Sequence, residues 1–201
     1  MKSLIKYIQE KLVIKNKSNN YKYFPETKEE LRDIIEQRIK TEGKKVNLND
    51  IDVSKITDMS KLFENLDFNG DISNWDVSNV TDMENMFWEC KNFNQDISTW
   101  NVSNVTNMDS MFWRCKSFNQ DISDWDVSKV KDMYGMFFGC ESFNQDISLW
   151  DVSKVINMSH MFYDCKSFNQ DISTWDVSNV KNKSGIFLKC PIDEKYKPKF
   201  K

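Results

Sequence analysis

The stretch FNQDISTWNVSNVTNMDSMFWRC, residues 93–115, decides the fold because it returns almost unchanged at a shift of 25 residues, once before and three times after. Self-similarity at a period of about 20–50 residues indicates stacked units, each of which buries its apolar side only against its neighbours. A degenerate copy precedes the regular ones. The period is marked by the tryptophans Trp75, Trp100, Trp125, Trp150 and Trp175, the phenylalanines Phe68, Phe93, Phe118, Phe143 and Phe168, and the cysteines Cys90, Cys115, Cys140, Cys165 and Cys190.

The spacing within one unit predicts a strand followed by a short helical return. Trp100 and Val102 stand two residues apart, which is the period of one face of a strand. The apolar residues from Val105 to Cys115 then recur every three or four positions, as on one face of a helix. Stacked units would place successive strands about 4.8 Å apart in a parallel sheet.

The repeated unit FNQDISxWDVSNVTxMxxMFxxC resembles the leucine-rich repeats of the BspA-like surface-protein family of mycoplasmas and gut bacteria, over residues 46–190. The resemblance implies an α/β fold, a right-handed leucine-rich-repeat solenoid with parallel strands on the concave face and short helical returns. It also implies a binding role, in relatives that are often secreted or attached to the cell surface. We therefore expect a bacterial or phage repeat protein that binds a macromolecule.

The chain divides into three predicted segments, a helical N-terminal cap with linker at 1–45, a solenoid of one degenerate and five 25-residue repeats at 46–190, and a basic C-terminal tail at 191–201. Within the cap, Thr27 and Glu30 form a capping box that starts a helix ending at Gly43. A further amphipathic helix is expected over residues 3–13. That helix either packs on the cap or contacts a membrane or a partner.

Charge is distributed unevenly along the chain. Residues 1–45 carry 12 basic and 7 acidic side chains, residues 46–190 carry 12 and 22, and the tail carries 4 and 2. An acidic body disfavours direct binding to duplex nucleic acid, which depends on Lys and Arg set against phosphates. Because the sequence shows no apolar run of about 20 residues and no signal-peptide pattern, we expect a cytoplasmic protein without a membrane span. The family resemblance would instead place it at the cell surface.

The sequence lacks the residue combinations that catalysis or metal binding requires. The cysteines stand 25 residues apart, so they form no CxxC zinc motif, and their spacing places them on an apolar face, where Cys behaves as a small hydrophobe. With His160 as the single histidine, no Ser-His-Asp set can be assembled, and no Gly-rich phosphate loop occurs. We predict that the protein is not an enzyme, uses no cofactor and holds no metal ion.

Two columns of polar residues run along the repeats. The first, just before each predicted strand, is expected to bond neighbouring backbone N–H groups, with a calcium ladder as the alternative; it comprises Asp71, Asp96, Asp121, Asp146 and Asp171. The second lies between the inward Trp and Val and points outward; it comprises Asp76, Asn101, Asp126, Asp151 and Asp176. Because like charges on adjacent strands are destabilising, this second column is either tolerated through local partners or used to bind basic side chains.

An aromatic column follows the core phenylalanine of the predicted helix, at Trp88, Trp113, Phe138, Tyr163 and Leu188. One residue corresponds to about 100° around a helix, so this column need not share the core. If it is exposed, it forms an apolar flank of the kind that marks an interface. The alternative is packing against the loop before the next repeat.

These features support three hypotheses of function. The first is a non-enzymatic protein-binding repeat module that recognises a macromolecular partner through its acidic concave face and its aromatic flank, with binding residues Trp88, Trp113, Phe138, Tyr163, Asp76, Asp126, Asp151 and Asp176. The second is an intracellular inhibitor of a nucleic-acid enzyme, encoded by a mobile element, whose carboxylates mimic nucleic acid. The third is a bacterial surface adhesin-like protein, by family resemblance alone.

Overall fold

The computed structural model describes residues 21–200, in which one α-helix is followed by six stacked repeats built from turns. The helix, α1, spans Lys28–Glu42, and a short 3-10 helix spans Glu194–Tyr196 near the C-terminus. The repeats occupy residues 44–67, 68–92, 93–117, 118–142, 143–167 and 168–190, and are numbered 1 to 6 in that order.

Helix α1 confirms the prediction made from its capping residues. The Thr27 hydroxyl accepts the N–H of Glu30 at 3.2 Å, which satisfies one of the free donors of the first turn. At the other end Gly43 adopts φ 91°, a left-handed value that suits glycine, and its N–H donates to the carbonyl of Ile39 at 2.9 Å. The second predicted helix, over residues 3–13, lies outside the described residues.

The predicted fold class, an α/β right-handed leucine-rich-repeat solenoid with parallel strands and helical returns, is wrong. Between residues 21 and 200 the chain forms no strand and no sheet, and the repeats contain no α-helix. Isolated parallel bridges join the same position of successive repeats, at Asp58–Asp82, Asp82–Asn107, Asn107–Asp132, Asp132–Asn157 and Asn157–Asn182. Each repeat is therefore a succession of tight turns, and backbone hydrogen bonds join it to its neighbour without forming a continuous strand.

Hydrogen bonds explain why residues 108–115 form turns although their apolar spacing predicted a helix. The N–H of Trp113 closes a turn on the carbonyl of Ser110 at 3.1 Å, whereas the N–H of Arg114 donates to the carbonyl of Phe138 in the next repeat at 2.6 Å. A helix would keep both bonds within one segment. Ser110 and Arg114 adopt φ 54° and 55°. Because of this left-handed backbone, alternate N–H groups point toward the next repeat.

The predicted strand is also replaced by turns. The N–H of Trp100 bonds to the carbonyl of Ile97 at 3.2 Å, and the N–H of Val105 bonds to that of Val102 at 2.9 Å. Both bonds link residues three apart in the same repeat, so these backbone groups do not enter a ladder with a neighbouring strand. Consecutive turns reproduce the apolar spacings of two and three residues without strand or helix geometry.

Aromatic rings form the core that holds the repeats together. Phe112 stacks on Phe87 and Phe137 of the adjacent repeats, with ring centroids 5.6 and 5.8 Å apart, and on Phe118 at 4.1 Å. The phenylalanines of this stack are fully buried, and each contributes about 1.5–3 kcal/mol through removal of apolar area from water. The buried indole N–H of each core tryptophan donates to a carbonyl of the preceding repeat, as Trp125 does to Ile97 at 3.1 Å.

The front of the stack is covered by α1. The guanidinium of Arg32 donates to the carbonyl of Lys61, and the ammonium of Lys28 contacts the carboxylate of Asp58 at 2.6 Å. Arg32 also donates to the carbonyl of Glu64 at 3.5 Å, at the position where the later repeats accept an N–H of the preceding repeat. No helix in the described part of the chain has the length and apolarity needed to cross a membrane.

Candidate functional site

Both Asp columns form the same local turn. In each, the side-chain oxygen accepts the N–H of the serine two residues later, as in Asp121 with Ser123 and Asp126 with Ser128, both at 3.0 Å. This Asx turn satisfies a backbone donor at each corner of the repeat. The structural role predicted for the first column is confirmed. The second column also has local partners, as the interpretation that its charges are tolerated requires.

The serine hydrogen bonds also keep the carboxylates ionised. Backbone N–H and hydroxyl groups of these serines lower the pKa of the aspartates below the ordinary value, because they stabilise the charged form. The effect applies to Asp96, Asp121, Asp126, Asp146, Asp151 and Asp171. At neutral pH the two columns therefore present regularly spaced negative charges.

The second column is exposed along its whole length, at Asp76, Asn101, Asp126, Asp151 and Asp176. We call the two columns together the acidic side. Lys129 and Lys154 lie near enough to Asp126 to favour its charged form. Asn101 makes the same turn with Ser103 at 3.2 Å, so a neutral side chain is sufficient for this turn. The predicted concave strand face is absent, because these positions lie in turns.

Part of the predicted aromatic column is a tight stack. The rings of Trp113 and Phe138 lie 3.7 Å apart at 4°, and those of Phe138 and Tyr163 lie 4.6 Å apart at 2°. All three side chains are half-buried. Trp88 is half-buried as well, but makes no ring contact within residues 21–200, and Leu188 is 55% exposed. The column is thus continuous over repeats 3 to 5 only.

Two members of this surface were missed by the sequence analysis. Tyr134 lies 6.1 Å from Trp113, and His160 contacts Tyr134 and Tyr163 edge-on at 5.8 Å each. The available signal was the replacement of polar residues by rings at positions that neighbour the aromatic column. We call Trp113, Tyr134, Phe138, His160 and Tyr163 the aromatic flank.

Glycine makes room for this flank. Gly135 lies beneath the indole of Trp113, so a Cβ at this position would come within 2.5 Å of the ring. Its φ of 52° is left-handed, but Ser110 adopts a similar value at the equivalent position of repeat 3. The close approach of Trp113, more than the backbone conformation, therefore requires glycine here.

The cysteines belong to the core. Cys90, Cys115, Cys140 and Cys165 are buried and free, while Cys190 is partly buried. The thiol of Cys115 donates to the carbonyl of Phe87 at 2.9 Å, and burial raises the pKa of Cys90 to about 12. Such a thiol stays protonated and is a poor nucleophile. Among residues 21–200 no group of three or more His, Cys, Asp or Glu side chains is placed to hold a metal ion.

Comparison with protein families identifies this chain. The model of the family described as "Mycoplasma protein of unknown function, DUF285" matches residues 30–134 and again residues 119–194. Together the two matches cover most of the chain, so the protein belongs to this family. Comparison with curated proteins and with solved structures finds no match.

Proposed function

We propose that this protein is a non-enzymatic protein-binding repeat module that recognises a partner with a basic surface. One observation carries the proposal: the acidic side is charged beyond what its turns require. Asn101 closes the same turn without a charge, yet four of the five residues in that column are Asp. Repeated carboxylates create a field that attracts a basic partner and favours it over an acidic one.

The aromatic flank supports the same proposal. Stacked, half-buried rings offer rigid apolar area at little entropic cost, and Trp and Tyr dominate the energetics of many interfaces. Trp113, Phe138 and Tyr163 are the residues through which the flank would contact a partner. Asp126 and Asp151, with Asp76 and Asp176, would steer its approach.

The test distinguishes the negative charge of the aspartates from their role in closing the turns. In the variant Asp76→Asn, Asp126→Asn and Asp151→Asn, the turns of repeats 2 to 5 all carry the asparagine that repeat 3 already has. A matched control removes three acidic charges near α1, away from the acidic side and the aromatic flank, with Glu26→Gln, Glu29→Gln and Asp33→Asn. Partners captured from a lysate of the source cell are identified by mass spectrometry and then titrated as purified proteins.

The expected result is at least a tenfold loss of affinity for the purified partner in the first variant and less than a twofold loss in the control. Affinity for the wild type should fall as salt rises, because exposed ionic contacts are screened. Equal affinities of both variants for the partner would contradict the proposed role of the acidic side.

A second candidate is inhibition of a nucleic-acid enzyme by mimicry. The observation that favours it is the regular succession of ionised carboxylates along two columns, which resembles the charge pattern of a nucleic-acid strand. If the captured partner is a nuclease or another nucleic-acid enzyme, a DNA or RNA duplex should compete with this chain for it. A partner that binds the chain and the duplex simultaneously would contradict mimicry.

A surface adhesin-like role remains a proposal from the resemblance to BspA-like surface proteins. It would use the same acidic side and aromatic flank. Labelling of intact source cells with an impermeant reagent tests it, since a surface protein is modified and a cytoplasmic one is not.

A further inference from the structure

The ladder of hydrogen bonds between repeats ends in free donors. At each junction, four alternate N–H groups donate to carbonyls of the following repeat, as Phe162 does to Ile186 at 2.9 Å. Gly185, Phe187 and Lys189 occupy the equivalent positions of repeat 6. Within residues 21–200 no further repeat stacks on repeat 6, and there these N–H groups have no backbone acceptor. An edge of this kind is a template for another chain.

A groove lies beside this open edge, between repeat 6 and the C-terminal tail. Its volume is about 390 Å³, and Ile186, Phe187 and Phe200 form an apolar part of its lining. The rest of the lining includes four lysines and a single glutamate, Glu194, which is paired with Lys197, while Lys195 lies 3.8 Å from Asp193 outside the lining. The groove therefore combines apolar area with positive charge, the opposite of the acidic side.

A second copy of this chain does not fit the edge. The front of the stack is covered by α1, whose Arg32 already donates to the carbonyl of Glu64, one of the acceptors that a preceding repeat would use. Two back ends would place donors against donors. Residues 1–20 of the chain itself carry five lysines and one glutamate, so their charge matches that of the groove and disfavours their binding. The occupant must bring free carbonyls and negative charge.

We propose that the open end of repeat 6 binds an extended acidic peptide from a partner protein. Its carbonyls accept the N–H groups of Gly185, Phe187 and Lys189, as an added strand does at a sheet edge. Alternate apolar side chains contact the groove, and its carboxylates lie against Lys195 and Lys199. This site differs from the acidic side in position and in charge, so it is independent of the function proposed above.

The probe is a fluorescein-labelled decapeptide in which valine and glutamate alternate, titrated by fluorescence anisotropy. The variant Lys195→Glu with Lys199→Glu should weaken its binding at least tenfold. The control Lys45→Glu with Lys131→Glu makes the same change in net charge away from the groove and should alter affinity less than twofold. Equal losses in both variants would overturn the proposal, since they would indicate attraction by net charge alone.

Amide hydrogen exchange tests the backbone contacts directly. With saturating peptide, exchange at Gly185, Phe187 and Lys189 should slow at least tenfold, while the exposed amide of Asn104 keeps its rate. Absence of peptide binding, or binding without this slowing, would overturn the proposal. Sedimentation that shows a dimer of the free protein, lost in the Lys195→Glu and Lys199→Glu variant, would assign the groove to a second copy and also overturn it.

Discussion

The buried tryptophan column and the aspartate columns beside it repeat with the same period, but for different physical reasons. Each core tryptophan fills the interior and bonds a carbonyl of the preceding repeat, as Trp125 does. Each aspartate instead closes a turn within its own repeat, as Asp126 does, and Asn101 does so equally without a charge. The core positions therefore require tryptophan itself, whereas the aspartate positions require only a side chain that closes the turn. The charge of these aspartates is then available for binding.

The largest effect is expected in the core. Phe112→Ala should lower the free energy of unfolding by about 3–5 kcal/mol, because it leaves a cavity where four stacked rings met. Urea unfolding followed by tryptophan fluorescence measures this change. A loss below about 1 kcal/mol would show that the repeats do not depend on the stack, and the contrast between core and surface would fail.

A smaller effect should come from the tryptophan hydrogen bond. Trp125→Phe removes one of two donors to the buried carbonyl of Ile97, which keeps the N–H of Trp100, and the lost hydrogen bond and apolar area should together cost about 1–3 kcal/mol. The same substitution reduces side-chain volume. Phe118→Leu also reduces the volume of a buried aromatic side chain but removes no hydrogen bond, so it serves as the control for packing. Equal losses in the two variants would assign the effect of Trp125 to packing alone.

Substitutions in the aspartate turn should change the free energy of unfolding less than the core substitutions do. Asp126→Ala removes the acceptor for the N–H of Ser128 and should cost about 0.5–1.5 kcal/mol. Asp126→Asn retains the acceptor and should change the free energy of unfolding by less than about 0.5 kcal/mol. Chemical denaturation of both variants measures these changes in the free energy of unfolding. If Asp126→Asn lowers it as much as Asp126→Ala does, the negative charge itself is needed for stability.

The smallest effect per residue is expected on acidification. Because the serine bonds lower the pKa of Asp121 and Asp151 in the folded state, the unfolded chain binds protons more readily at those residues. Their contribution to stability is full above the unfolded pKa of about 4 and is lost as the pH falls below it through the folded pKa. Unfolding midpoints between pH 6 and pH 2.5 should show this loss, and a rise in stability toward low pH would contradict it.

The sequence predicted the repeat period, the core residues and helix α1, because these follow from spacing and capping chemistry that a single chain displays. It failed on the fold class because the spacing of Val105, Met108 and Phe112 suits both a helix and a run of turns. The deciding feature is the left-handed backbone at Ser110 and Arg114. Neither serine nor arginine is a residue type that predicts this conformation. The aspartate turns were predictable from Asp followed two residues later by Ser, but the ring contacts of Tyr134 and His160 depend on the register between repeats.

The central claim is that the acidic side carries charge that its fold does not need. The most direct measurement is the free energy of unfolding, at low ionic strength, of the variant Asp76→Asn, Asp126→Asn and Asp151→Asn. We predict a loss of less than about 1 kcal/mol, because asparagine keeps the turn acceptor and only the modest stabilisation of the charged form by neighbouring serines and lysines is removed. A loss of more than about 1 kcal/mol would contradict the claim, since the carboxylates would then be required for folding.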